Sequence, residues 1–142
     1  MAAPLYAGCA LLVLLPAVDL LTNVWPIRPW EIGWRYGTVG LASGFLLTPL
    51  LGLMAAAVLA RLLDQSAVLR ALAAVVGLTA LALAGATGMF VLDALEVSGQ
   101  IPADGREAFQ IGAVRAVLKN ALVAGVLGWM ALATLRAATR SG

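Results

Sequence analysis

Residues 37–60 form a run of 24 residues without a charged side chain, GTVGLASGFLLTPLLGLMAAAVLA. A helix rises about 1.5 Å per residue and the hydrocarbon layer of a bilayer is about 30 Å thick, so roughly 20 apolar residues are enough to cross it. This run therefore predicts a membrane-spanning helix, around which the rest of the chain must be arranged.

The composition of the whole chain agrees with that prediction. The 142 residues are 63% hydrophobic and 11% charged, whereas soluble domains carry about 25% charged residues. At about 20 to 30 residues per span, this length accommodates four helices and no separate soluble domain. We therefore predict an all-α fold, an integral membrane four-helix bundle in which residues 1–142 form a single transmembrane domain with up-down-up-down topology.

The charged and turn-forming residues separate the predicted spans. The first span has no basic residue before its apolar core and no clear cleavage site after it, so we expect a retained helix and not a signal peptide. Pro16 lies inside this helix and predicts a kink. The four transmembrane helices are predicted near residues 4–24, 37–61, 68–95 and 108–137.

Small side chains recur every four residues along the second span and again along the third. Lipid tails are as apolar as leucine, so helices in a bilayer associate by close packing, which small side chains permit. The alternative is a chain that is simply rich in alanine and glycine, because such spacings often arise by chance. The predicted helix-packing residues are Gly40, Gly44, Thr48, Gly52, Ala56, Ala84 and Gly88.

The connection at residues 25–36 is rich in aromatic side chains. Tryptophan and tyrosine have an apolar body and a polar edge, and they settle at the boundary between hydrocarbon and headgroups. We therefore predict an interfacial aromatic loop, with contact to a lipid headgroup or a partner protein as the alternative role. Glu31 stands four residues before Arg35, a spacing that favours an ion pair on one helix. The predicted interfacial anchors are Trp25, Trp30, Trp34 and Tyr36.

Five charged residues are predicted in the outer third of the bundle. Charges at such depth are costly, so they pair in the interior or line water. We predict a buried charge cluster that fixes the order of the helices, and the alternative is a cavity where two cations bind an anion or a lipid phosphate. The members of this cluster are Asp19, Asp93, Glu96, Arg115 and Lys119.

The last helix makes the depth of two of these charges ambiguous. Its only uncharged run is 120–135, which is short for a span. Arg115 and Lys119 therefore either project into water or dip into the outer half of the bundle. Counting back from the turn at residues 99–104 places Arg115 near Gly88. Asp19 or Asp93 is its expected partner.

The residues that commonly carry chemistry are scarce. The chain has no histidine and one cysteine, Cys9, and no cluster of carboxylates at zinc-ligand spacing. We therefore expect no metal, no cofactor and no intrachain disulfide. No hydrolase, P-loop or dinucleotide motif occurs, so we expect no enzyme. The net charge is only +2 and the basic residues are scattered, which argues against a nucleic-acid partner.

The functional prediction follows from these exclusions. We expect a non-catalytic four-span membrane protein that acts as a structural or assembly subunit, self-associating or packing on larger membrane partners through small-residue helix faces. The expected partners are the lipid bilayer and either a homo-oligomer or a larger membrane complex. The alternative is an oligomeric channel or transporter for a small solute or anion, with Arg115 and Lys119 lining the site. Pro49, a candidate for breaking the second span, favours this alternative weakly.

The distribution of basic residues predicts the orientation. Arginines flank the second loop and the C-terminal tail, and the positive-inside rule then places both termini in the cytoplasm. We expect a multi-pass protein of a bacterial inner membrane. The bias reverses if Arg115 and Lys119 count as loop residues.

Overall fold

The computed structural model describes residues 2–140, which form five α-helices and no strand. Three of the helices are long and apolar enough to cross a membrane, and a bent pair makes a fourth candidate. These helices confirm the predicted all-α class and indicate a multi-pass membrane protein. The helices are α1 Ala3–Asn23, α2 Ile32–Phe45, α3 Leu47–Leu62, α4 Ser66–Ser98 and α5 Arg106–Arg140.

The second predicted span is not one continuous helix. It consists of α2 and α3, which meet at Leu46 with a bend of 51°. Pro49 explains the position of the break, because a proline cannot donate a hydrogen bond to the carbonyl four residues earlier and its ring clashes with that group. The carbonyl concerned belongs to Phe45, the last residue of α2. By contrast, α1 remains a single helix through Pro16.

Helices α4 and α5 form a long antiparallel hairpin. A Cβ atom placed on Gly77 would lie 3.7 Å from the Cβ of Ala131, which sets residue 77 of α4 opposite residue 131 of α5. Leucines from α3 cover the same contact, so the hairpin and the second half of the broken span share one core. The buried residues of this core are Val76, Ala80, Leu127, Met130 and Ala131.

Helix α1 packs on α3 through a very close contact. A Cβ placed on Gly52 would lie 2.9 Å from the Cys9 carbonyl oxygen and 2.9 Å from Leu12 Cβ, so only glycine fits there without movement. No residue of α1 has its Cα within 8 Å of a Cα in α4 or α5. The broken span therefore separates α1 from the hairpin along most of its length, and only the Tyr6 side chain near its start packs on the buried cluster of Leu69 and Ala138.

The break also divides the predicted small-residue stripe. Gly52 and Ala56 are buried in α3, and a Cβ on Gly40 would lie 4.0 Å from the Phe90 ring. Gly44 and Thr48, which flank the bend, are exposed. The two predicted packing residues of α4, Ala84 and Gly88, are exposed as well.

The two ends of the bundle are held by different contacts. At the end where α1 begins and α5 ends, Tyr6 Oη donates to Gln65 Oε1 at 2.7 Å, and Ala60, Leu69 and Ala138 form a second buried cluster. At the opposite end, Arg35 of α2 meets Asp93 of α4. We call these the terminal end and the ion-pair end.

Candidate functional site: the charged and polar residues of the helices

An ion pair between Arg35 and Asp93 joins the first turn of α2 to α4. Arg35 Nε donates to Asp93 Oδ2 at 3.0 Å, and Nη2 donates to Oδ1 at 2.8 Å. This two-pronged geometry matches the planar guanidinium to the carboxylate. Asp93 is only 5% exposed, and Arg35 Nη1 also donates to the Pro29 carbonyl at 3.3 Å. The pair therefore links α2, α4 and the preceding loop.

The structure gives both charges partners other than those predicted. Glu31, expected to pair with Arg35, pairs with Arg28 at 3.2 Å instead. Asp93 forms its ion pair with Arg35 of α2 and not with Arg115 of α5. Sequence spacing reveals only neighbours on one helix, whereas the Arg35–Asp93 contact depends on how the broken span is directed against α4.

An aromatic stack lies beside this ion pair. The rings of Tyr36 and Phe90 have centroids 4.7 Å apart and planes 11° apart. Tyr36 also stacks on Phe109 of α5 at 5.2 Å and 22°. Stacked and offset rings contribute beyond their buried area, so this contact ties α2 to both helices of the hairpin at the level of the ion pair.

The predicted aromatic anchors divide into two groups. Trp25 and Trp30 are each 73% exposed, as an interfacial belt requires. Trp34 turns inward, and its Nε1 donates to the Val24 carbonyl at 2.8 Å. Tyr36 belongs to the stack described above. Two of the four rings therefore hold the protein together, and two are left to face its surroundings.

The predicted buried charge cluster is not assembled within the chain. Asp93 is the one member that is buried; the other four are exposed, and none of them makes an ion pair within residues 2–140. Arg115 is exposed although it lies level with Asp93, and Asp93 is paired with Arg35. Asp93 lies 16 residues beyond Gly77 and Arg115 lies 16 residues before Ala131, so Arg115 is level with Asp93 and not with Gly88. The exposed members are Asp19, Glu96, Arg115 and Lys119.

Asn120 is a polar residue within the long uncharged run of α5. Its side chain is fully buried, and neither Nδ2 nor Oδ1 has a hydrogen-bond partner in the described chain. The register places it beside Thr87, whose hydroxyl donates to the Leu83 carbonyl at 2.6 Å. Residue spacing was the sequence feature that could have indicated its burial, because Asn120 lies four residues after Ala116 on the buried face of α5.

The chemistry of the described residues assigns no reaction. Among residues 2–140, no group of three or more His, Cys, Asp or Glu side chains is placed to hold a metal ion. Cys9 is free and partly buried. Comparison of the chain with protein-family models, with curated proteins and with solved structures found no match.

Proposed function

We propose that the chain is a four-span integral membrane bundle with up-down-up-down topology, in which α2 and α3 together make the second span. The connections after α1, α3 and α4 alternate between the ion-pair end and the terminal end. Between Arg70 and Asp93, α4 carries 22 uncharged residues, a length of about 33 Å that matches the hydrocarbon layer. The ion pair then lies at one hydrocarbon boundary, and the hairpin tip projects beyond it.

Within this membrane, the proposed role is that of a non-catalytic structural or assembly subunit. The observation that carries the proposal is the exposure of Asp19 and Lys119 on helix surfaces inside that boundary. A charge at the centre of a spanning helix costs roughly 2.5–3.5 kcal/mol on insertion scales. A second polypeptide that covers these surfaces would provide partners that lipid cannot. The exposed small residues Gly44 and Gly88 supply further faces for close packing.

The proposed location is a bacterial inner membrane with both termini in the cytoplasm. Arg61, Arg70 and Arg136 lie toward the terminal end, and short basic flanks are retained on the cytoplasmic side. Trp25 and Trp30 would then lie at the outer interface, where indole rings settle.

The assembly role is tested by counting subunits in a bilayer. Fluorescently labelled protein, reconstituted at low density into lipid vesicles, is expected to bleach in two or more steps per particle. The same protein purified from its native membranes in mild detergent should retain either copies of itself or a larger partner. Single bleaching steps at every protein-to-lipid ratio, together with purification as a lone chain, would contradict the proposal.

A channel or carrier for a small solute or anion is the second candidate. Two observations favour it: the 51° break in the second span and the buried, unbonded amide of Asn120. Broken helices commonly expose backbone groups at transport sites. Arg115 and Lys119 would line the path between copies, since both face outward and stand one turn apart.

Anion flux into vesicles distinguishes this candidate from a purely structural role. A carrier should dissipate a chloride or phosphate gradient, and Arg115→Ala should abolish that flux while leaving assembly and melting intact. Vesicles that contain correctly assembled protein yet hold their gradients would exclude the carrier for those anions.

A further inference from the structure

We infer that α5 of a second copy of this chain packs on the outward face of α1, with Asp19 of one copy paired to Lys119 of the other. The inference rests on the proposed self-association and names the two surfaces that meet. Both side chains are exposed and make no ion pair within residues 2–140. Their charges are opposite, so the two side chains can form an ion pair.

Depth in the membrane is the first test of such a pair. Copies inserted in the same orientation hold equivalent residues at equal depths, so two residues can pair between copies only if their depths agree. On α5, Arg115 is level with Asp93 by the helix register. Lys119 follows four residues later and therefore lies about 6 Å deeper from the ion-pair end.

The depth of Asp19 follows from the contacts at the end of α1. Trp34 Nε1 donates to the Val24 carbonyl at 2.8 Å, and the next residue, Arg35, holds Asp93. Val24 therefore lies near the ion-pair end, within reach of these two side chains. Asp19 precedes it by five residues, so its carboxylate lies about 7.5 Å deeper. Asp19 and Lys119 thus both lie roughly one to two helical turns inside the ion-pair end, and the flexible stem of the lysine can span the remaining difference in depth.

The two side chains differ in how far they can reach toward water. A lysine extends its ammonium group along a flexible stem and can snorkel to the interface. An aspartate has a short side chain and stays near its own helix. Asp19 therefore needs a cation delivered to its own depth, and a long lysine on a neighbouring helix is suited to that contact.

The rest of the two faces is complementary in shape. On α5, exposed residues follow Lys119 at alternating spacings of three and four, the pattern of a helix that packs along a partner. These residues are Leu122, Val126 and Trp129. On α1, exposed residues precede Asp19 at similar spacings. These residues are Leu15, Leu11 and Gly8.

The largest exposed ring on one face lies level with a glycine on the other. Trp129 is 71% exposed and lies ten residues, about 15 Å, from Lys119. Gly8 lies eleven residues from Asp19, about 16.5 Å in the same direction, and a Cβ placed on it would meet nothing within 4 Å. The indole of one copy therefore faces a helix surface without a side chain.

A single copy cannot make this contact for itself. No Cα of α1 lies within 8 Å of one in α5, because α2 and α3 stand between them. The two complementary faces point away from each other within one chain. When two copies associate, the α1 face of one is covered by the α5 face of the other.

Cysteine cross-linking in native membranes tests the pairing directly. In a Cys9→Ala background, a copy with Asp19→Cys and a copy with Lys119→Cys carry different tags and are co-expressed, then treated with a short bifunctional thiol reagent. A mixed cross-linked dimer is expected, because a paired lysine and aspartate hold their Cα atoms farther apart than the about 4.4–6.8 Å that a disulfide requires, and a short linker covers the difference. Gly8→Cys with Trp129→Cys should cross-link in the same way. Leu5→Cys with Lys119→Cys is the matched control and should not, since Leu5 is exposed but lies about 21 Å from the depth of Asp19.

Charge reversal provides a second readout. Lys119→Asp alone and Asp19→Lys alone should each lower the association constant by about tenfold or more, and the double exchange should restore it. Melting at high lipid dilution, where the parent is also monomeric, should be the same for each variant and the parent and will show that the protomer still folds. Assembled copies that never cross-link between positions 19 and 119 would overturn this inference and leave self-association standing. A cross-link from position 19 to another membrane protein would overturn it as well. Monomers in every bilayer would overturn this inference and self-association together, and purification as a lone chain would then overturn the proposed subunit role as well.

Discussion

The contact at Gly52 yields the most quantitative prediction. A Cβ at that position would lie 2.9 Å from the Cys9 carbonyl oxygen and 3.1 Å from Val13 Cγ2, whereas ordinary contact begins at 3.4 Å. In Gly52→Ala, α1 must therefore move away from α3 by roughly 0.5 Å, because a backbone oxygen cannot turn aside. Overpacking of this kind costs typically about 1–3 kcal/mol. Alanine returns about 0.8–1.0 kcal/mol through its greater helix propensity, so the net expected loss is about 0–2 kcal/mol.

Gly44→Ala is the matched control for this substitution. Gly44 belongs to the same predicted stripe, but it is exposed and a Cβ there would meet nothing within 4 Å. It should gain helix propensity without a steric cost, so the two alanine variants should differ by about 1–3 kcal/mol. The free energies of unfolding of the two variants are compared by thermal or denaturant titration in mixed micelles. The packing argument fails if Gly52→Ala is as stable as Gly44→Ala.

Three further predictions concern the polar residues and the topology. Arg35→Ala should strand the buried Asp93 carboxylate and cost about 3–5 kcal/mol, and adding Asp93→Ala should recover part of that loss; equal stability of the single variant and the parent in micelle unfolding would refute it. Asn120→Leu removes two buried polar atoms without partners and should raise the free energy of unfolding by about 1–3 kcal/mol; a destabilised variant would show that the amide has a partner, such as an ordered water. A cysteine introduced at Gly142, after Cys9→Ala, should react with a membrane-impermeant maleimide only when the cytoplasmic side is open, and labelling of intact cells from outside would reverse the orientation.

The sequence predicted the helices better than their contacts, and the bilayer explains why. Hydropathy placed α1, α4 and α5 within a few residues of their observed bounds. It did not indicate which face of a helix is buried, because lipid and protein interior are both apolar. Lys119 and Asn120 show the consequence: they are adjacent in sequence, yet the lysine is exposed and the asparagine is fully buried.

The sequence likewise indicated only in part where the second span is broken. Pro49 marked the second span as a candidate for interruption, but prolines also occur in uninterrupted membrane helices, as Pro16 does in α1. Whether a helix bends depends on what its neighbours offer to the freed carbonyl. The bend in turn directs α2 toward α4 and allows Arg35 to reach Asp93. A long-range ion pair thus depends on a local backbone feature, and neither could be derived from residue spacing alone.

The attachment of α1 connects the internal packing to the proposed assembly. Helix α1 contains no buried residue, and it is fixed by the contact at Gly52 and by hydrogen bonds near its two ends, from Tyr6 and to the Val24 carbonyl. Hydrogen bonds between membrane helices contribute only about 0.6 kcal/mol each on average, so close packing must supply most of this attachment. In the proposed assembly, α5 of a second copy covers the opposite face of α1 and holds it from both sides. The docking of α1 within one copy and the association of copies would then stabilise each other, because the position of Asp19 is set by the helix that Gly52 holds in place.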